Sequence, residues 1–155
     1  MHTFADERIR RPKDFIEIFD VLCSSDYVFF SSYAQLMIFA ASLGFYHKKR
    51  TSFTKTCEKI RFYIFEKQKY FFSIFNTIAY LESNKDTNIF SDKNFSIRVN
   101  IFEEYAYGGL EIIKNRVIAP PGGKYLENMI ALILEVNNSL AEFNNILPEE
   151  FELEL

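Results

Sequence analysis

Apolar residues recur along most of this chain at the three- and four-residue spacing of a helix face, and Gly, Pro, Asn and Asp mark the breaks between runs. Phe15, Ile18, Phe19 and Leu22 stand at i, i+3, i+4 and i+7, predicting an amphipathic helix to about Cys23 that ends at Ser24-Ser25-Asp26. Pro12, with φ preset for a first turn, and Asp14, suited to the positive end of a helix dipole, open it. Ser32 and Gln35 form a capping-box pattern, so a second helix starts near Tyr33. Its middle is apolar nearly all round, which predicts a buried central helix, and Gly44 reads as its left-handed C-cap. Ala40 and Ala41 leave room for a close neighbour.

Residues 60–65, Ile-Arg-Phe-Tyr-Ile-Phe, are β-branched and aromatic, which favours a short strand, while Ile60, Ile64 and Lys67 also fit a helical face. The stretch from Tyr70 to Leu81 places Tyr70, Phe71, Ile74, Phe75, Ile78 and Leu81 on one side of a helix. Turn-forming residues at 84–88 and 91–94 flank the anchor Ile89-Phe90. A further helix spans Phe95 to Val117, with Gly108-Gly109 inside it at a helical cost of about 2 kcal/mol relative to alanine. That cost predicts a break, a kink or a close-packing site. Ala119-Pro-Pro-Gly-Gly123 is the clearest boundary, and Lys124 to Leu147 makes a long amphipathic helix before an acidic tail at 148–155. The expected fold is all-α: a compact domain of four to five helices over 1–118, a linker at 119–123, and a C-terminal helix with its tail over 124–155. One short hairpin near residues 53–66 is the strand-containing variant of that fold.

Composition narrows this picture. The chain has 155 residues, 48% of them hydrophobic with 18 Phe, enough for an aromatic-rich core without disulfides or metals. Five Gly and four Pro are too few for a turn-rich sandwich or barrel. Cys23 and Cys57 are far apart and outside any C-x-x-C spacing, so they read as reduced, packed thiols. Residues 1–11 are polar with charges of both signs and hold no apolar core of signal-peptide length. No run reaches the roughly 18 apolar residues of a membrane span. Both features lead to the expectation of a cytoplasmic protein with no membrane partner.

Charge is divided unevenly. Residues 1–69 hold 12 Lys/Arg and eight Asp/Glu, residues 70–155 six and 13, so the halves carry +4 and −7 within the total of −3. From His47 to Lys69 eight basic residues stand against Glu58 and Glu66. A polyanion is drawn to such a segment, and the interleaved Phe53, Phe62, Tyr63, Phe65 and Tyr70 are candidates for stacking on exposed bases. The candidate nucleic-acid-binding residues are Arg10, Arg11, Lys13, Lys48, Lys49, Arg50, Lys55, Lys59 and Arg61, with Arg8 extending the same face. The alternatives are that the aromatics are core and the lysines ordinary surface, or that the segment meets an acidic protein partner. In the last helix Leu126, Met129, Ile130, Ile133, Val136 and Leu140 need a partner surface, supplied by the domain, by a second copy in a homo-oligomer, or by another protein. Glu127, Glu135 and Glu142 favour a basic partner face.

Catalytic chemistry finds little support. His2, His47 and the distant cysteines do not make a metal set. Cys57 with His47 is the one conceivable nucleophile–base pair, and nothing in the spacing anchors it. Gly108-Gly109 and Gly122-Gly123 lack the spacing and the following Lys-Ser/Thr of a phosphate loop. Glu58-Lys59 and Glu66-Lys67 are faint echoes of a nuclease motif and read better as solvated charges. Glu103-Glu104 diverge by about 100° on a helix, so they read as surface acids, or one of them caps a buried tyrosine. No catalytic residue, metal or cofactor is assigned.

Four strings together carry a resemblance. Ile9-Arg-Arg-Pro-Lys13, Tyr33-Ala-Gln-Leu-Met-Ile-Phe-Ala-Ala-Ser-Leu-Gly-Phe45 with Arg50, Ile60-Arg61 followed by Phe65-Glu66, and Ile101-Phe-Glu-Glu-Tyr-Ala-Tyr-Gly-Gly-Leu-Glu-Ile-Ile113 resemble the Dnd system-associated protein 4 family. These are small accessory proteins encoded beside bacterial DNA phosphorothioation genes. The resemblance covers roughly Arg8 to Val117, so the last helix reads as an extension. It implies a setting of DNA modification or restriction against phage in the bacterial cytoplasm, with other subunits of that system as partners. The expected role is a non-enzymatic accessory subunit that contacts duplex DNA, or a DNA-bound partner, through its basic face. The alternative is a protein–protein scaffold or inhibitor with no DNA contact.

Overall fold

The computed structural model describes residues 4–24 and 29–146. It divides into two compact units, Met1–Lys114 and Asn115–Leu155. The first contains strand β1 (Arg8–Ile9), helices α1 (Ile16–Ser24) and α2 (Tyr33–Tyr46), strand β2 (Ile60–Arg61), and helices α3 (Phe62–Glu66), α4 (Phe71–Glu82) and α5 (Phe95–Ile113). The second holds helix α6 (Tyr125–Ile146). The architecture is mostly helical, as the apolar periodicity predicts. His2 and the acidic tail at 148–155 lie outside the described residues.

The start of α2 is written locally. Ser32 Oγ accepts the Gln35 amide at 3.2 Å, and Gln35 Oε1 reaches back to accept the Ser31 amide at 3.0 Å. The capping box therefore closes one residue earlier than its usual form. Leu36, Met37, Ala40, Ala41, Leu43 and Gly44 are buried, so α2 is the central helix of its unit.

The expected C-cap at Gly44 is wrong. The helix runs on to Tyr46, and the left-handed residue is Lys48, with φ of 53°. The Lys49 amide donates to the Gly44 carbonyl at 2.8 Å and the Lys48 amide to the Phe45 carbonyl at 3.0 Å, the paired closure of a Schellman motif. Gly44 instead lets α5 approach. A Cβ there would strike the Tyr105 carbonyl and lie 2.9 Å from the Gly109 amide nitrogen. Gly109 meets the Ala40 carbonyl in the same way, and Gly108 meets the Lys49 carbonyl. Of the three readings of Gly108-Gly109, close packing is the one that holds, and α5 passes through both residues without a break.

Around this pair the phenylalanines form one cluster. Phe62 is fully buried, with ring centroids of Phe71, Phe75 and Phe95 at 5.0–5.7 Å, mostly edge to face. Phe65 and Phe71 both contact Phe102 of α5. The ambiguous segment at 60–65 resolves into both of its readings in succession, strand for two residues and then helix. No hairpin forms near 53–66. β2 pairs with β1 instead, antiparallel, with Arg8 opposite Arg61 and Ile9 opposite Ile60, and a bridge at Pro12 and Thr56 extends the contact.

In the second unit Gly122 and Gly123 have φ of 99° and 62° just ahead of α6. Asn128 Nδ2 donates to the Val117 carbonyl at 3.1 Å, and Arg116 is ion-paired with Glu135. Of the apolar positions singled out on α6, Met129 is buried and Val136 half-buried, while Leu126, Ile130, Ile133 and Leu140 are exposed. Leu132, which the periodicity did not single out, is buried.

Gly109→Ala tests the close approach. Alanine gains about 1 kcal/mol of helix propensity, while forcing backbone apart in a packed core costs typically 1–3 kcal/mol. A net loss of stability and a lower thermal midpoint are expected, and a raised midpoint would refute the packing account.

Candidate nucleic-acid interface

The nine predicted cations separate into those that hold the fold together and those that face solvent. Arg10 follows β1 and turns onto α5, where its Nε donates to Glu103 Oε2 at 2.6 Å and its backbone amide to Oε1 at 2.5 Å. Its remaining nitrogens reach Asn100 Oδ1 at 3.1 Å and the Phe53 carbonyl at 3.3 Å, with the guanidinium over the Phe53 ring. Glu103 is 2% exposed, so its reading as a surface acid is overturned. Burial pushes its carboxyl above the usual carboxylate range, against the hydrogen bonds and charge of Arg10.

Arg50 is anchored in the same manner. Its Nε donates to Glu104 at 2.6 Å and its NH1 to Glu82 at 2.7 Å. Glu82 also accepts the Tyr105 hydroxyl at 2.5 Å, so the acid that caps a buried tyrosine is Glu82, not Glu103 or Glu104. That hydrogen bond, helped by Arg50, holds Glu82 below the usual range. Burial, then Glu82, pushes the Tyr105 phenol up to about 12. Lys49 pairs with Glu111 at 3.2 Å. Arg10, Lys49 and Arg50 thus neutralise carboxylates on α4 and α5.

Arg11 differs. It is only 9% exposed, its guanidinium lies over Phe19 and Tyr33 at 5.1 and 4.5 Å, and its Nε points at the Glu58 carbonyl at 3.4 Å. Among the described residues no carboxylate forms an ion pair with it. A buried cation without a counter-charge is costly unless something else supplies the charge. Arg11 lines a groove of about 400 Å³ together with Arg8, Lys59, Arg61, Tyr33 and Tyr63. Arg8 and Arg61 are cross-strand neighbours, an arrangement of like charges that destabilises a sheet by itself. Neither they nor Lys59 has a carboxylate ion pair among the described residues. The first turn of α2, Ser32 to Ala34, completes the groove and brings the positive end of a 14-residue helix to it. Glu58 is the one acid in the lining.

Lys48, Lys49 and Arg50 sit at the opposite end of α2, about 20 Å away along the helix axis. The predicted set therefore does not form one patch. Lys59, Arg61 and Arg11 come together with Arg8 at one end, Lys48 to Arg50 stand at the other, and Lys13 and Lys55 are exposed in the segments joined by the Lys13–Lys55 backbone hydrogen bond. Among the aromatics proposed to stack on bases, Phe53, Phe62 and Phe65 are buried core residues. Tyr63 and Tyr70 are exposed, each with a lysine ammonium over its ring, Lys67 at 4.9 Å and Lys69 at 4.8 Å.

The thiols are free and spectators to this site. Burial pushes Cys23 up to about 11, despite Arg11 nearby, so it is a neutral thiol at neutral pH. Cys57 Sγ donates to the carbonyls of Arg11 and Pro12, not to His47. No helix among the described residues is long and apolar enough to cross a membrane.

The family model described as DNA sulphur modification system-associated protein 4 matches residues 8–151, and the chain belongs to that family. The match runs well past Val117, so the last helix is part of the family pattern and not an extension. No curated protein and no solved structure matches the chain.

Two outcomes test the assignment of cations to the fold. Arg10→Ala leaves the Glu103 carboxylate buried and unpaired, at an expected cost of about 3 kcal/mol, and adding Glu103→Gln should return part of it in chemical denaturation. Equal stability of the single and parent chains would contradict the buried pair. Glu82, with its carboxyl depressed in the fold, contributes stability above the usual carboxylate pKa that is lost as pH falls through its lower, folded value. Glu82→Gln should therefore cost about 1 kcal/mol at pH 7, and the two melting curves should converge as the acid limb is descended. A difference independent of pH would remove the Glu82 charge from the account.

Proposed function

We propose that this member of the DNA sulphur modification system-associated protein 4 family is a non-enzymatic accessory subunit that contacts the DNA phosphate backbone through the groove formed by Arg8, Arg11, Lys59 and Arg61. Its setting is the bacterial cytoplasm, in modification-linked defence against phage, with other subunits of the system as partners. One observation carries the reading: Arg11 is buried, stacked on Phe19 and Tyr33, has no carboxylate ion pair among the described residues, and lines a groove with the cations Arg8, Lys59 and Arg61. A bound phosphate supplies the missing counter-charge to Arg11 and relieves the Arg8–Arg61 repulsion at once. The α2 N-terminus adds dipole in the same direction. Such contacts position a protein on DNA and carry no base information.

A scaffold without DNA contact is the second reading. It is favoured by the internal pairing of Arg10, Lys49 and Arg50, which removes those cations from any external polyanion.

Binding of the full chain to random duplex DNA across a salt series separates the two. Each phosphate contact adds about 0.9 to the slope of log affinity against log salt. Replacing Arg8, Lys59 and Arg61 by Ala should lower the slope by up to about three units, while Lys48→Ala leaves it near the parent value. Salt-independent or absent binding by the parent chain would favour the scaffold.

A further inference from the structure

We propose that α6 pairs with α6 of a second copy of the chain as a short parallel coiled coil. Two apolar stripes run along this helix. Met129 and Leu132, on one, are buried. Leu126, Ile130, Ile133 and Leu140, on the other, are 46–48% exposed. With Asn137 between them, this second stripe is spaced four, three, four, three, the alternation of a heptad seam.

The seam itself identifies its occupant. Assigning Leu126, Ile133 and Leu140 to d positions puts Ile130 and Asn137 at a. A β-branched residue at a favours two strands, and one asparagine at a fixes register. In a parallel pair Asn137 faces the Asn137 of the other copy and the two amides satisfy each other. In an antiparallel pair it falls opposite an apolar d residue and is left without a partner. The flanking e and g positions within the helix, Met129, Leu134, Val136, Ala141 and Phe143, carry no charge. They neither repel an identical helix nor recruit a differently charged one. Glu127 is the exception, and the position it would face across a parallel pair, Gly122, precedes the helix. Glu135 and Glu142 fall at f, on the far side, where like charges stay apart in solvent.

Area sets the strength. Leu126, Ile130, Ile133, Leu134 and Leu140 together expose on the order of 400 Å², the size of the largest apolar patch on an ordinary monomer. It is about half of the roughly 800 Å² that each partner contributes to a standard interface. The dimer is therefore reversible and concentration-dependent. The seam belongs to the second unit and the groove to the first.

Sedimentation of the full chain from low-micromolar to near-millimolar concentration tests this. A monomer–dimer equilibrium is expected. Ile133→Glu, at an exposed position, should weaken it at least tenfold with helical signal and melting unchanged. Asn137→Ile should tighten it or raise its order. Asn137→Cys should cross-link as a dimer under mild oxidation while the parent, with Cys23 and Cys57, does not; this reports the parallel register. A parent chain that stays monomeric throughout, a dimer indifferent to Ile133→Glu, or failure of the Asn137→Cys cross-link would each overturn the proposal.

Discussion

The backbone-to-backbone approach of α2 and α5 is the constraint on which the first unit depends. Gly44, Gly108 and Gly109 each place a hydrogen where any side chain would meet a carbonyl of the other segment. Two glycines in mid-helix are unfavourable by propensity, and the contact they permit lets side chains on either side of the seam interlock at native density. Ala40 lies at this contact, its carbonyl facing Gly109, and Ala40, Ala41 and Ala106 are all buried. The phenylalanine cluster then closes over one flank, with Phe102 of α5 meeting Phe65, Phe71 and Phe75.

Because α5 is held so close, its acids become anchors for the irregular parts of the chain. Glu103 holds Arg10 beside β1, Glu104 holds Arg50, and Glu111 holds Lys49 and the Thr51 hydroxyl. The segment after α2 is thereby fixed along α5, and the Thr51 amide donates to the Glu104 carbonyl at 3.1 Å. The N-terminal strand is pinned between this segment and β2 through the Lys13–Lys55 and Cys57–Arg11 backbone hydrogen bonds. The groove follows from that pinning, since Arg8, Arg11, Lys59 and Arg61 reach one place only when β1 and β2 are paired. The family to which the chain belongs is associated with a DNA sulphur modification system.

Helix identities were legible because each depends on local chemistry. The Ser32–Gln35 cap, the apolar stripe of α4 and the Pro-Pro-Gly-Gly boundary before α6 all act within a few residues. Gly44 was not legible. A glycine that ends a helix and one that admits a neighbour look alike along the chain, and the neighbour here is Gly109, distant in sequence. Strand β1 was equally hidden, being too short for any alternation to show, whereas the β-branched and aromatic composition of 60–65 gave a sign of β2.

The sequence by itself determined the helical class, the aromatic core, the family and the excess of positive charge between His47 and Lys69. Which of those charges remain available was decided only by the tertiary structure. Arg10 and Arg11 are adjacent and chemically identical, yet one meets a buried carboxylate on α5 and the other two aromatic rings and an open groove. The fate of a cation depends on the counter-charge within about 4 Å of it, and for Arg10 that counter-charge is Glu103, brought by folding from 93 residues away.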